Sequence, residues 1–94
     1  MKESALRNKT MAYLNNLKDA WFYKASDRYT SGVPDIIGCF RGRFVAIELK
    51  AKGGKVSGIQ KYQHLKILES GCEVIVADDF EILKSKLEEI YGIS

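Results

Sequence analysis

The stretch Gly32–Lys52, GVPDIIGCFRGRFVAIELKAK, decides the fold of this 94-residue chain. It reads as a β-hairpin: PDIIGCF runs out to a turn at Arg41-Gly42-Arg43, and FVAIELK returns. Pro34 opens the first arm, where its missing N–H costs least. In an antiparallel pair the start of one strand lies beside the end of the next, which makes Asp35 and Glu48 neighbours despite their separation in sequence. Lys50, two residues beyond Glu48, points to the same face. Asp35 joins that face only if residue numbers across the ladder sum to 83, or to 81 or 85 diagonally. Sum 83 needs an even loop, either Arg41-Gly42 alone or four residues around it, and it sets Phe40 opposite Arg43. An odd loop parts the two acids unless a bulge corrects the parity.

Both faces of this hairpin are apolar. Ile36, Phe40, Val45, Ile47 and Leu49 alternate with Ile37, Cys39, Phe44 and Ala46, a pattern that predicts a sheet sandwiched between helices. The flanking sequence supplies them. Over residues 3–17, Leu6, Thr10, Tyr13, Leu14 and Leu17 recur at steps of three and four, which predicts a first helix. Glu3 extends that stripe, either as an acid favoured by the helix dipole or as a group aimed where the apolar face packs. AWFYKA, residues 20–25, predicts a first strand. Trp21, Phe22 and Tyr23 alternate faces, so core packing or a subunit contact fits them better than a base-stacking platform. The polar loop SDRYTSG leads into the hairpin, with Asp27 and Arg28 expected in solvent.

After AKGGK comes a capping box, Ser57 with Gln60 three residues on, and a helix that ends at Gly71. CEVIVA is a fourth strand, and its helical crossover predicts that it lies parallel to the third. Asp78 or Asp79 caps a last helix whose stripe is Phe80, Leu83, Leu87 and Ile90. The order is αβββαβα: an α/β domain in three α/β/α layers around a mixed four-stranded sheet, occupying residues 1–94.

With 46% apolar and 29% charged residues, the chain has the composition of an ordinary globular domain. No signal peptide or 18-residue apolar run is present, so a cytoplasmic location without membrane contact is expected. Cys39 and Cys72 lack metal-ligand spacing and read as reduced core residues. The net charge of +3 hides an asymmetry, since residues 41–66 carry +6 and residues 67–94 carry −5. The positive window contains the carboxylate hairpin itself, which points to a polyanionic substrate delivered to a metal site. Two carboxylates crowded at one sheet end repel each other, and a Mg²⁺ ion relieves that repulsion. Bound there, it acidifies water and stabilises phosphate charge, while Lys50 positions or deprotonates the attacking water. The plainer alternative is a rim ion pair of Lys50 with Asp35 or Glu48, contributing about 0–1 kcal/mol.

Pro34-Asp35 followed by Glu48-Leu49-Lys50 resembles the PD-(D/E)XK nuclease signature. More narrowly, Gly32-Val33-Pro34-Asp35, the ELK, and Ser57-x-x-Gln60 ending at Gly71 resemble the virus-type replication-repair nuclease domain, VRR-NUC. The resemblance spans nearly the whole chain and implies a restriction-endonuclease-like fold that cleaves DNA phosphodiesters with a divalent metal. It implies that Asp35, Glu48 and the Leu49 carbonyl bind Mg²⁺, with Mn²⁺ expected to substitute, and that Lys50 assists the water. Gln60 matches the family's helix glutamine and Glu3 its acid on the first helix. Gln60 competes with its own capping role, and Gln63, nearly one turn on, is a second candidate. Gly58 stands where family members often carry proline, which should soften the helix start.

Small stand-alone domains of this kind resemble Holliday junction resolvases, which implies a homodimer, because symmetric cutting of two strands calls for a two-fold axis. With no recognition domain appended, branched DNA shape rather than base sequence is the expected target. Arg41, Arg43, Lys52, Lys55, Lys61 and Lys66 are expected on phosphates. Flaps or linear duplex are alternative substrates, and a catalytically idle DNA-binding module is the alternative function. His64 reads as a solvated helix residue.

Overall fold

The computed structural model describes residues 2–25 and 29–92; Asp27 and Arg28 lie outside the described residues. The element order is α1 (Glu3–Asn15), β1 (Ala20–Lys24), β2 (Ile36–Phe40), β3 (Arg43–Leu49), α2 (Gly58–Glu69), β4 (Glu73–Ala77) and α3 (Phe80–Tyr91). The four strands form one sheet in the order β1-β2-β3-β4. β1 and β2 pair antiparallel, β2 and β3 antiparallel, and β3 and β4 parallel. The expected αβββαβα order and mixed sheet are therefore those of the molecule.

The hairpin has the even loop. Ile36 pairs with Ile47 and Phe40 with Arg43, so every pair sums to 83 and the ladder, continued by one residue, sets Asp35 beside Glu48. Arg41 and Gly42 alone make the turn, both at positive φ, +52° and +82°, as a two-residue turn that matches strand twist requires. Gly42 adopts this without a Cβ penalty. Pro34 and Asp35 precede the strand rather than begin it: β2 starts at Ile36, although the Asp35 carbonyl still accepts a bond from the Ala25 N–H at 2.8 Å.

One face of the sheet carries the core. Phe22, Ile36, Phe40, Val45, Ile47, Leu49, Ile75 and Ala77 pack with Leu6 and Leu14 of α1 and Leu83 and Leu87 of α3, the two helices whose apolar stripes were legible at steps of three and four. Asp79, not Asp78, caps α3, its Oδ1 accepting from the N–H groups of Glu81 and Ile82. Asp78 Oδ2 instead accepts from the Gly53 N–H and ties down the loop after β3.

The opposite face is covered by α2 only in part. Ala46 and Glu48 are buried there, whereas Phe44 is 39% exposed and Cys39 is exposed. The sheet is thus sandwiched between helices as expected, with the α2 cover ending short of Phe44 and Cys39. Both cysteines are free, but Cys39 is not a core residue and Cys72 is only half-buried. In β1 Phe22 joins the core and Ala20 packs against it; Trp21 is 64% exposed and lies 5.2 Å, centroid to centroid, from the Tyr23 ring on the same outer face. Among the described residues no helix is long and apolar enough to cross a membrane.

Candidate active site

The register that aligns Asp35 with Glu48 places both at one end of the sheet, where β3 stops and α2 begins. Asp35 is fixed by backbone: its Oδ2 accepts from the Leu49 N–H at 2.8 Å. In an extended strand a residue's N–H and C=O leave on the same side, so the Leu49 carbonyl belongs to the Asp35 edge as well. Glu48 is 1% exposed. Burial first, then a hydrogen bond and charge repulsion from Asp35, push its carboxyl up to about 8, with Lys50 opposing. Glu48 is therefore the acid that holds on to its proton at neutral pH, as a buried carboxyl beside another acid does.

α2 closes the site over Glu48. Gln60 meets both demands that the sequence set in competition: its Oε1 accepts from the Ser57 N–H at 2.9 Å, completing the capping box, and its Nε2 donates to Glu48 Oε2 at 3.5 Å. Capping thus orients the amide with its donor side toward the acid. Gln63 turns elsewhere, donating to the Ser31 carbonyl at 3.2 Å. This bond seats the loop before Asp35 on α2. Gly32 allows that approach: at φ +80°, a Cβ there would lie 2.7 Å from the Ile59 carbonyl oxygen.

Two residues near the acids were not foreseen. His64 is buried at 8% exposure, not solvated, and its Nε2 lies 3.1 Å from Glu48 Oε1. Burial and the nearby Lys50 charge lower its pKa, so with Glu48 protonated this is a hydrogen bond between neutral groups rather than an ion pair. Arg7 on α1 lies 3.6 Å from Glu3 Oε1 and 3.9 Å from Asp35 Oδ1. A signal existed for each: His64 is four residues from Gln60, and Arg7 four from Glu3, on the same helix faces. Glu3 lies at this end of the sheet and its charge is felt at Glu48, while it also occupies the first turn of α1.

The cations expected on phosphates divide into two groups. Lys52, Lys55 and Lys61 lie around the loop and first turn of α2, at the carboxylate end. Arg41 in the hairpin turn and Arg43 just after it lie at the opposite end, and Lys66 joins them, since it borders the same surface groove as Phe44 and Cys72. All six are exposed.

Among the described residues no three His, Cys, Asp or Glu side chains form a metal-binding cluster. The donors fit a hard cation that keeps much of its water: two carboxylates in contact plus a backbone carbonyl are the oxygen set Mg²⁺ takes. Asp35, Glu48 and the Leu49 carbonyl are the groups that would hold it.

No protein-family model matches the chain, and no curated protein does. Solved structures do. One described as a VRR_NUC domain superposes with a TM-score of 0.85 at 24% identity, covering 97% of this chain and 99% of that one. The chain has the VRR_NUC fold. A second structure, described as a VRR_NUC domain protein, agrees with a TM-score of 0.80 at 16% identity, covering 100% of this chain and 91% of that one. At such identities the VRR_NUC likeness speaks for architecture, and the chemistry rests on this chain's own residues.

Proposed function

We propose that this protein is a divalent-metal-dependent nuclease hydrolysing DNA phosphodiester bonds, selective for branched structures and four-way junctions above all, and acting as a homodimer. The observation that carries the reading is the meeting of Asp35, Glu48 and Lys50 at one sheet end under the α2 side chains Gln60 and His64. An ion pair alone does not call for two carboxylates, one of them buried. The VRR_NUC architecture supports the same reading.

Asp35, Glu48 and the Leu49 carbonyl hold Mg²⁺, for which Mn²⁺ substitutes. When bound, the ion supplies a Lewis acid for the phosphate and lowers the pKa of water. The Leu49 N–H fixes the Asp35 rotamer, and Gln60 restrains Glu48. Lys50 orients the attacking water and offers positive charge to the developing phosphorane. Glu3, with Arg7 between it and Asp35, steadies the α1 side. Lys52, Lys55 and Lys61 take phosphates near the cut, and Arg41, Arg43 and Lys66 take them further along; such contacts position DNA without reading sequence.

The test is incubation of labelled four-way junction, flap and linear duplex with Mg²⁺, with Mn²⁺ and with EDTA. Metal-dependent paired nicks at symmetric positions of the junction, from a species that sediments as a dimer, are expected. Asp35→Ala, Glu48→Ala and Lys50→Ala should each lose about 100-fold or more. Binding without metal-dependent cutting of any substrate would identify an idle DNA-binding module instead, and preferential cutting of flaps or duplex would reassign the substrate. Undiminished cutting by Asp35→Ala or Lys50→Ala would remove the site.

A further inference from the structure

α2 is built against the usual order of burial. Ile59, Tyr62, Leu65 and Leu68 are each about half exposed, while the buried residue of the helix is His64. A helix meant only to cover the sheet would turn its leucines inward and leave imidazole to water. His64 is instead placed where Nε2 reaches Glu48 Oε1 at 3.1 Å, four residues along the same helix face from Gln60, whose Nε2 reaches Glu48 Oε2 at the longer 3.5 Å.

We infer that His64 is a positioning residue: from Nε2 it holds Glu48 Oε1 and so fixes the carboxylate of Glu48 in the orientation that binds a divalent cation. This rests on the metal-dependent reading above. The geometry divides the labour between the two Glu48 oxygens. Oε1 has the closer, buried partner and is taken up by α2. Oε2 has the longer Gln60 contact, and Asp35, whose carboxyl also hydrogen-bonds Glu48, would be the co-ligand of a cation taken up on that side. Without His64, a nearly fully buried carboxylate loses its nearer partner and the constraint on its χ angles. Hydrogen-bonding partners of metal-binding carboxylates affect affinity by about 10- to 100-fold when removed.

The test is Mn²⁺ titration calorimetry on the full chain without DNA, for wild type, His64→Leu and His64→Gln, alongside melting in EDTA and junction cleavage at saturating Mn²⁺. Leucine keeps bulk and removes the hydrogen-bonding nitrogen, while glutamine places an amide close to where Nε2 stands. Expected are a Mn²⁺ Kd about 10-fold weaker in His64→Leu with the melting temperature in EDTA unchanged or raised, and affinity within about 3-fold of wild type in His64→Gln. Wild-type Mn²⁺ affinity in a folded His64→Leu, or equal loss in both variants, would overturn the inference. Should wild type bind Mn²⁺ but cut no DNA, the nuclease reading fails while the role of His64 is still decided by the binding series. Absence of Mn²⁺ binding by wild type overturns both.

Discussion

Glu48 and His64 are shifted in opposite directions, and their contributions to stability run against each other. Glu48 has a folded pKa of about 8 against an ordinary 4.5. The native state keeps a proton that the unfolded chain has lost, so this contribution is complete below 4.5 and disappears as pH rises to about 8. His64 is lowered below its ordinary 6.5, so the unfolded chain binds the extra proton and stability is gained as pH rises to that value. The two oppose each other below 6.5, and only the loss through Glu48 remains between 6.5 and about 8. In EDTA, wild-type melting temperature should fall from pH 6.5 to 8.5, Glu48→Gln should fall much less, and Mn²⁺ should restore the wild type at the higher pH. Parallel wild-type and Glu48→Gln profiles would contradict the shift. A second prediction concerns Thr10, fully buried on α1 with a hydroxyl that has no partner among the described residues. Thr10→Val keeps shape and removes that cost, so it should stabilise the protein by about 1 kcal/mol, seen as a higher urea midpoint with unchanged slope. An unchanged or lowered midpoint would mean that the hydroxyl is satisfied.

The hairpin and the loop before it are the elements on which the site depends. Gly32 has a positive φ and faces the Ile59 carbonyl, with no room for a methyl group. Gly32→Ala should therefore cost roughly 2 kcal/mol and displace Asp35 from the Leu49 N–H, with cutting impaired beyond what the lower stability explains at a temperature where the variant is fully folded. Near-normal stability and activity would show that the loop yields without cost. The hairpin register was legible because side-chain period and loop parity leave few pairings that put Asp35 on the face of Glu48, and the turn residues Arg41-Gly42 permit the one that forms. Helices α1 and α3 were legible because Leu6, Leu14, Leu83 and Leu87 recur at helical spacing. What periodicity does not encode is how much of a sheet face its covering helix reaches. Cys39 and Phe44 therefore read as buried although α2 leaves them open, and Trp21, read as core packing or a subunit contact, is exposed. Nor does it reveal an inverted helix: α2 has apolar residues at plausible spacing, yet it buries His64. Gln60 was recognisable as a candidate, but only the placement of the cap beside Glu48 shows that one amide serves both ends.

The basic window of the sequence does not become one patch in the molecule. Folding sends Lys52, Lys55 and Lys61 to the carboxylate end and Arg41 and Arg43 to the hairpin turn, with the length of β3, Arg43–Leu49, between them. Seven residues at a rise of about 3.3 Å separate the ends by roughly 20 Å, or about six nucleotides at 3.4 Å per strand. The proposed DNA track is thus long, with the cut near one end of it. Removing a single phosphate-binding cation reduces the slope of log affinity against log salt by about 0.9. Lys55→Ala and Lys61→Ala should lower that slope on every substrate, including short ones, because these lysines lie beside the cut. Arg41→Ala and Arg43→Ala should lower it only when a duplex arm extends at least about six base pairs from the scissile phosphate. Fluorescence anisotropy in EDTA, with junctions whose arms are trimmed from about twelve to about four base pairs and salt varied for each, separates the two groups. If Arg41→Ala weakens binding equally on the shortest arms, the DNA does not run along the hairpin. The turn arginines would then meet a different part of the branch.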